Sequence, residues 1–347
     1  MTPTQSEARR QEAQLLTAAR NGEEAFCRLV DPHRAALHAH CYQMLGSVHD
    51  ADDALQDALL RAWRALGRFE GRSAVSSWLH RIATNTCLDE IARRPKRVLP
   101  IDYGPSSDPR DDAGEPLDSA TWIEPYPDRQ VGLQDGFAGP ESRYEQREAV
   151  ELAFVAALQH LPARQRAALI LRDVLGFSAR EVAESLTTSV ASVNSALQRA
   201  RKTIDERLPE RSQQATLRSL GDARVSDLVE RFIDAFERGD VEAILAMIAE
   251  DATFSMPPYP DWCRGRDAIA DSWLMPGGPA PRLRYATTRA NGQPAVGTYL
   301  LEPDSGRYVP IALDVLTLAG PEISEVIAFR TPHVFARFGL RDQIPSS

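Results

Sequence analysis

Eight side chains between residues 189 and 202 share one chemistry. Ser189, Ser192, Asn194, Ser195, Gln198, Arg199, Arg201 and Lys202 offer donors and acceptors that suit base edges, with cations for phosphates. Such a set is useful only if one rigid face presents it. Val190, Val193, Ala196, Leu197, Ala200 and Ile204 recur at three-four spacing and predict a helix with the polar set on its other side. Upstream, Ser178 and Glu181 have the spacing of a capping box, and Val182, Ala183 and Leu186 give the helix it opens an apolar face. Thr187-Thr188-Ser189 breaks the pattern with turn-forming hydroxyl residues. A short helix, a three-residue turn and a polar-faced second helix describe a helix-turn-helix, although an ordinary helical hairpin with a solvated face fits the same pattern.

A second chemistry-bearing stretch lies between residues 50 and 97. Asp50, Asp52 and Asp53 stand at the positive end of a predicted helix whose stripe is Ala51, Leu55, Ala58, Leu59, Ala62, Trp63 and Leu66. Gly67 occupies the expected C-cap, and Asp53, Gln56, Asp57, Leu60, Arg61 and Arg64 face outward. After a loop from Phe69 to Val75, Ser76 or Ser77 caps a helix. It carries Trp78, Leu79, Ile82, Ala83, Thr86, Cys87 and Ile91 against Arg81, Asn85, Asp89, Arg93 and Arg94. Aromatic and polar groups beside a basic tail suit single-stranded nucleic acid, although Trp78 alone reads as core. Residues 7–21 read as a lead-in helix, and the helical pattern continues from Glu23 to Gly46.

Composition sets the bounds. The chain has 347 residues, enough for two or three domains, and a net charge of −9. That acidity is local: residues 98–143 hold three basic against ten acidic side chains, and residues 212–347 are also acidic. Residues 24–97 and 144–211 are slightly basic, so DNA binding by the isolated chain should be weak and a larger partner should supply most of the affinity. No apolar run reaches a membrane span, the N-terminus is too polar for a secretory signal, and the four cysteines show no paired spacing. A cytoplasmic protein without membrane contact is expected. His33, His38, His40 and Cys41 scatter around one helix and complete no tetrahedral set, so no metal and no cofactor are expected.

Residues 98–143 read as an acidic, proline-rich linker. Within it Trp122-Ile123-Glu124-Pro125-Tyr126-Pro127-Asp128 could either dock as an extended peptide or stiffen a spacer.

DADDALQDALLRAW and WLHRIATNTCLDEIARR resemble region 2 of an extracytoplasmic-function (ECF) sigma factor, the small bacterial branch of the sigma-70 family. LQHLPARQRAALILRDVLGFSAREVAESLTTSVASVNSALQRARKTI resembles region 4. The resemblance implies two all-α domains, residues 1–97 and 144–211, separated by the linker. It also implies bacterial core RNA polymerase and promoter DNA as partners. Asp53, Gln56, Asp57, Leu60, Arg61 and Arg64 would then dock on the polymerase. Phe69, Ser77, Trp78, Arg81, Asn85, Arg93 and Arg94 would hold the melted −10 element. The helix from Val190 would enter the −35 major groove. No catalytic residue is implied.

Beyond residue 220 the pattern changes. Val225 to Phe236 marks an amphipathic helix ended by Gly239, and Asp240 caps another. Ala252–Met256 reads as a strand and Arg266–Leu274 as a helix. Strands Arg282–Ala290 and Ala295–Leu301 flank Asn291-Gly292, and Tyr308–Leu318 pairs with Ile323–Arg330. Helices followed by a meander predict an α+β fold, and the order resembles the SnoaL-like, NTF2-like cone over residues 220–342. Such cones can enclose a pocket, for which Tyr259, Asp261, Trp262, Asp314 and His333 are the candidates, with a small ligand as a further partner. The expectation is a sigma factor whose cone modulates it in cis. The alternatives are a SnoaL-type enzyme or ligand sensor fused to a DNA-binding module, and a one-component repressor, which the weak basicity disfavours.

Overall fold

A computed structural model describes residues 14–20, 22–71, 73–110, 114–130, 147–273 and 283–345. Residues 14–19 are helical, and the rest of the predicted lead-in lies outside the described residues apart from Arg20. The helical run after it is not continuous. Pro32 interrupts it with a 3-10 turn over Asp31–His33, dividing α1 (Glu23–Val30) from α2 (Arg34–Leu45), because proline offers no N–H to the ladder. Gly46 closes α2 at φ 71°, where glycine carries no steric penalty.

α3 spans Val48–Ala65 and is capped by Ser47, whose Oγ accepts from the Asp50 amide. It ends in a 3-10 turn over Leu66–Arg68, so Gly67 lies inside that turn and not at a left-handed C-cap. Ala51, Leu55, Ala58, Leu59 and Ala62 are buried as the periodicity requires. Trp63 is not; it stays 37 % exposed with its ring edge-on to Phe26. α4 (Val75–Ile91) starts from Ala74 without a side-chain cap, two residues before Ser76, the first of the serines expected to cap it. Ser76 instead faces His80 across one helical turn.

From Pro95 the chain enters a different compact unit, where α5 (Leu152–Gln159) lies, and it returns to the first unit at Leu161. There α6 (Ala163–Leu169) runs into a π turn over Ile170–Val174, followed by α7 (Ala179–Ser185) and α8 (Val190–Asp205). Residues up to Arg94 together with Leu161–Thr203 make the first unit, and Pro95–His160 with Ile204–Ser347 make the second. Residues 98–110 and 114–130, part of the 98–143 stretch read from composition as a linker, therefore belong to the second unit.

The second unit continues with α9 (Gln213–Leu220), α10 (Asp222–Arg238), α11 (Val241–Leu245), β1 (Ile248–Ser255), β2 (Trp262–Arg264) and α12 (Arg266–Trp273). β3 (Leu283–Ala290), β4 (Gln293–Glu302), β5 (Arg307–Ala319), β6 (Glu322–Phe329) and β7 (Ile344–Pro345) complete it. Arg282 and Leu274, expected at element ends, lie outside the described residues. The sheet order is β2-β1-β6-β5-β4-β3, with β7 on β5; β1 and β6 run parallel and the other pairs antiparallel. β4 begins two residues before the expected Ala295, so Pro294 sits inside it opposite Arg289, next to the turn.

Alternation along the strands gives the sheet two apolar faces. On one, Val296, Ala312, Leu316, Val326 and Ala328 pack with Phe232 and Phe236 of α10. On the other, Tyr299 meets the C-terminal 3-10 segment Pro332–Phe338 through Phe335 at 5.3 Å. A Cβ at Gly297 would lie 2.5 Å from Leu340 Cδ1 and 3.1 Å from Phe335 Cε2, so glycine is what lets that segment close on the sheet.

Asp314 is the acid of the α10-facing side. It is 9 % exposed and accepts from Thr298 Oγ1 at 2.5 Å. Burial pushes its pKa up to about 6, with the Thr298 bond opposing the shift. In the unfolded chain this group ionises near its ordinary 3.8, so the fold holds a proton that the unfolded state releases. Stability contributed by that proton is present in full at low pH and is lost as pH rises through about 6, on the order of 3 kcal/mol in all. Asp314→Asn keeps an acceptor for Thr298. Hydrogen-exchange protection of the β4–β5 amides should fall between pH 4 and 6.5 in the parent and stay flat in the variant.

Candidate nucleic-acid interface and the docked linker

The capping box on α7 is present in full: Ser178 Oγ accepts from the Glu181 amide and the Glu181 carboxylate accepts from the Ser178 amide. Those bonds hold the Glu181 carboxyl below its usual range. After α7, Thr187 adopts φ 50° in the turn, and Ser189 Oγ accepts from the Ser192 amide to start α8. Val193, Leu197 and Ala200 are buried, which fixes the roll of α8. Its outer face then exposes Ser189, Ser192, Asn194, Ser195, Gln198, Arg199, Arg201 and Lys202 together. Val190 was expected in the buried stripe but is 44 % exposed, because it lies in the first turn of α8 beyond the reach of α7. Arg201 is engaged within the chain by a bidentate pair with Asp173, at 2.7 and 2.9 Å.

On α3, Asp53, Gln56, Asp57, Leu60 and Arg64 form an exposed face, with Leu60 at 47 %. Arg61 is half-buried and pairs with Asp89 of α4 at 2.7 Å. Ser77, Arg81, Asn85 and Arg93 are at least partly exposed, and Arg94 bonds to Asp50. Phe69 and Trp78 are in a different position from their neighbours. They stack at 4.6 Å inside the unit and are 7 % and 4 % exposed, so neither ring is presented to solvent. The basic run also divides at the unit boundary. Arg97 is buried and donates to the carbonyls of Ser119 and Trp122.

The first unit contains a buried cation that the sequence reading passed over. Arg166 of α6 is 5 % exposed and donates to the Met44 carbonyl at the end of α2 and to the Leu161 carbonyl. Burial lowers its pKa to about 10. Beside it, His40 and His80 meet edge-on and His80 meets Phe177 of the loop before α7. Burial, with His80 adding to it, drops the His40 pKa to about 3, which keeps that ring neutral. His40 Nε2 is bonded to Thr84 Oγ1 and His38 Nε2 to Asp52 Oδ1, so these histidines have structural partners. The helix-turn-helix is thereby packed against α2 and α4.

In the second unit, Trp122, Ile123, Pro125, Tyr126 and Pro127 are all buried. Asn291, at φ 55° in the β3–β4 turn, makes a two-way backbone clasp with Tyr126. Its amide donates to Tyr126 O and its Oδ1 accepts from Tyr126 N, both at 2.8 Å. Its Nδ2 donates to Val150 O at 2.7 Å. Asp128 accepts from the Gly292 amide and from Arg289. Trp122 Nε1 donates to Pro258 O, while Trp262 Nε1 donates to Gly104 O and Asp261 accepts from the Gly114 amide. Three of the five expected pocket residues thus have other surroundings: Asp261 and Trp262 hold the linker, and Tyr259 lies under Arg330. His333 is exposed and Asp314 is inside the sheet, so the set is divided among separate tasks.

The chain matches Sigma-70 region 2 over residues 29–97, Sigma-70 region 4 over residues 151–204, and the SnoaL-like domain over residues 229–326. It is 41 % identical over 322 residues to the ECF RNA polymerase sigma factor SigG of Mycobacterium tuberculosis, covering 92 % of this chain and 85 % of the relative. It is 34 % identical over 193 residues to SigM of the same organism, 55 % of this chain and 82 % of the relative. The crystal structure of M. tuberculosis SigJ matches with a TM-score of 0.54 at 21 % identity, over 89 % of this chain and 97 % of that one, a likeness of fold. Among the described residues no helix is long and apolar enough to cross a membrane.

The clasp predicts a separation of effects. Asn291→Gly keeps a residue that tolerates positive φ but removes both side-chain hydrogen bonds. Tryptic cleavage at the exposed Arg129 should accelerate by on the order of tenfold or more, with the strands β3–β6 still protected from exchange. Unchanged cleavage would mean that the clasp does not hold the linker.

Proposed function

The chain belongs to the ECF family of RNA polymerase sigma factors, and on that premise we propose how its parts divide the work. As a member it is a transcription-initiation subunit, acting with core RNA polymerase on promoter DNA. We assign residues 1–97 to polymerase docking and the −10 element, and 144–211 to the −35 element. The exposed α3 face (Asp53, Gln56, Asp57, Leu60, Arg64), with the half-buried Arg61 at its edge, is assigned as the polymerase surface. Ser77, Arg81, Asn85, Arg93 and Arg94 are assigned to the melted strand; Phe69 and Trp78 stiffen the fold beneath them. Flipping a base costs a few kcal/mol, which contacts from this surface would have to offset. The outer face of α8 reads the −35 major groove through Asn194, Ser195 and Gln198, with Arg199 and Lys202 on phosphates.

A single observation supports a resting state that has to open. The helix-turn-helix and α2–α4 share one compact unit. A unit of about 140 residues has a radius of gyration of roughly 14 Å. Elements centred about 25 base pairs apart lie roughly 85 Å apart along B-DNA. One such unit cannot hold both elements, so α6–α8 must leave α2 and α4 when promoter DNA is engaged. Arg166 and the His80–Phe177 contact are what such a separation breaks.

The covalent bridge between the two modules, residues 95–160, belongs to the cone's unit, with its Trp122–Asp128 stretch clasped by Asn291. We therefore assign the cone an inhibitory role in cis: it withholds the bridge that separated modules would need. The enzyme reading gains no support from the divided set Tyr259, Asp261, Trp262, Asp314 and His333.

Promoter-dependent transcription with bacterial core polymerase tests this directly. More transcript is expected from a chain ending at Arg211, and from Asn291→Gly, than from the full chain. Less transcript from the short chain would make the cone a required part of the active complex instead. In the active short chain, replacing Asn194 and Gln198 together by Ala should cut transcription by roughly tenfold to a hundredfold on a promoter with an intact −35 element. The same change should matter little on a promoter whose −35 bases are scrambled; equal losses on both would count against base reading by α8.

A further inference from the structure

The chain crosses between its two units after Arg94, after His160 and after Thr203. On the second-unit side of each crossing stands a side chain that joins one charged cluster. Lys96 follows the first crossing by two residues, His160 immediately precedes the second, and Arg207 lies four residues beyond Thr203. Asp102, on the helical turn Pro100–Tyr103, is where they converge.

Asp102 Oδ1 accepts from Arg207 Nη1 at 3.3 Å and lies 3.1 Å from His160 Nε2. His160 Nδ1 is 2.8 Å from Lys96 Nζ. An ammonium group has only donors, so Nδ1 accepts from it and the neutral ring carries its proton on Nε2, toward Asp102. The imidazole thus links a cation to an anion. The side chains of His160 and Asp102 are mostly buried, so salt screens their contact less than it would a surface pair. Asp102 is itself anchored to the docked linker. Its turn follows Val98, whose amide donates to Thr121 O at 2.9 Å and whose carbonyl accepts from the Ile123 amide at 3.1 Å.

The Lys96–His160 contact closes the bridge into a loop. The two residues are 64 positions apart in sequence, and a free coil of that length would span roughly 40–50 Å. While the contact holds, the two side chains keep their Cα atoms within roughly 13 Å of each other. Residues 97–159 then lend no length to the connection between the modules assigned to the −10 and −35 elements. Arg207 draws the chain that leaves the helix-turn-helix to the same carboxylate.

We propose that Lys96, His160, Asp102 and Arg207 form a latch that gathers the three crossings and takes the bridge out of use, with His160 and Asp102 as its positioning residues. The proposal rests on the reading that α6–α8 must leave α2 and α4, and it deepens that reading. The latch holds the ends of the bridge, whereas Asn291 holds its middle. Its full length becomes available only when both let go.

Maleimide labelling of the full chain reads the latch. Cys87 of α4 is fully buried and close enough to Arg166 of α6 for the two to interact electrostatically. Its labelling, followed by mass spectrometry, reports how often α6 leaves α4, and the buried Cys263 of β2 is the reference for the second unit. Lys96→Met should raise Cys87 labelling roughly twofold to fivefold with Cys263 unchanged, and His160→Leu should raise it at least as much. The double variant should match His160→Leu, because the Lys96 contact is already gone there. His160→Gln offers a donor to Asp102 and an acceptor to Lys96 and should label at the parent rate. Lys96 is exposed, so its variant still tests the latch where a change at His160 disturbs packing. Unchanged labelling in Lys96→Met, additive effects in the double variant, or His160→Gln as reactive as His160→Leu would each overturn the latch. Transcription from the chain ending at Arg211, compared with the full chain, decides the inhibitory reading separately, so the two failures are told apart.

Discussion

A single amide side chain in a two-residue turn sets how much of this chain is free. Asn-Gly turns are favoured between twisted strands because both residues accept positive φ, and here Asn291 and Gly292 do so at 55° and 71°. The turn exposes the Asn291 side chain and backbone toward whatever lies beside it. What lies there is Tyr126, whose amide and carbonyl are both satisfied by Asn291, with Val150 taking the third bond. A buried extended segment needs its backbone groups paired, and a turn that supplies both a donor and an acceptor lets proline-rich peptide lie on a domain without forming a strand. The aromatic side chains then follow the backbone into the interior.

The same constraint explains why acidity and burial coexist in residues 98–130. Two of the linker's acids are held by specific partners. Asp128 takes the Gly292 amide and Arg289, and Glu124 lies 4.0 Å from Arg97. What is buried is apolar or backbone, so the linker docks without stranding charge. Arg97 belongs to this logic, because its guanidinium fills the carbonyls of Ser119 and Trp122 instead of joining the basic tail of α4.

Much of the architecture was legible because periodicity reports packing directly. The helix-turn-helix, its capping box, the amphipathic α10 and the Asn291-Gly292 hairpin all follow from local spacing, and the structure contains each. What sequence could not supply was long-range. Trp122–Asp128 left docking and stiffening open, because nothing local says that Pro258 and Asn291 lie opposite. Phe69 and Trp78 are implied as −10 contacts by the resemblance, although Trp78 alone reads as core, and each ring is the other's core partner across the loop. Arg166 reads as one more exposed cation in a basic segment until α2 brings the Met44 carbonyl to it. Asp261 and Trp262 looked like pocket chemistry and are linker contacts. In each of these the deciding contact lies outside the helical spacing from which the residue is read.

Connectivity gives the docked linker its leverage. The chain passes from the first unit to the second after Arg94, back after His160, and out again after Thr203. Each end of the helix-turn-helix is therefore joined to the cone's unit, and α2–α4 reach it only through residues 95–160. Were that bridge a free coil, its root-mean-square span would be roughly 40–50 Å, short of its contour length by severalfold. Held on the cone, it has far less reach, because the segment up to Gln130 is fixed on the domain that also carries α9. Opening the first unit to engage two separated promoter elements then draws on whatever length the cone releases. A clasp worth a few kcal/mol at Asn291 is of the right size to regulate this step, since each 1.4 kcal/mol shifts the population of released chain tenfold. Under the inhibitory role proposed above, the cone would act without touching DNA, by holding or releasing the segment that joins the two parts assigned to DNA.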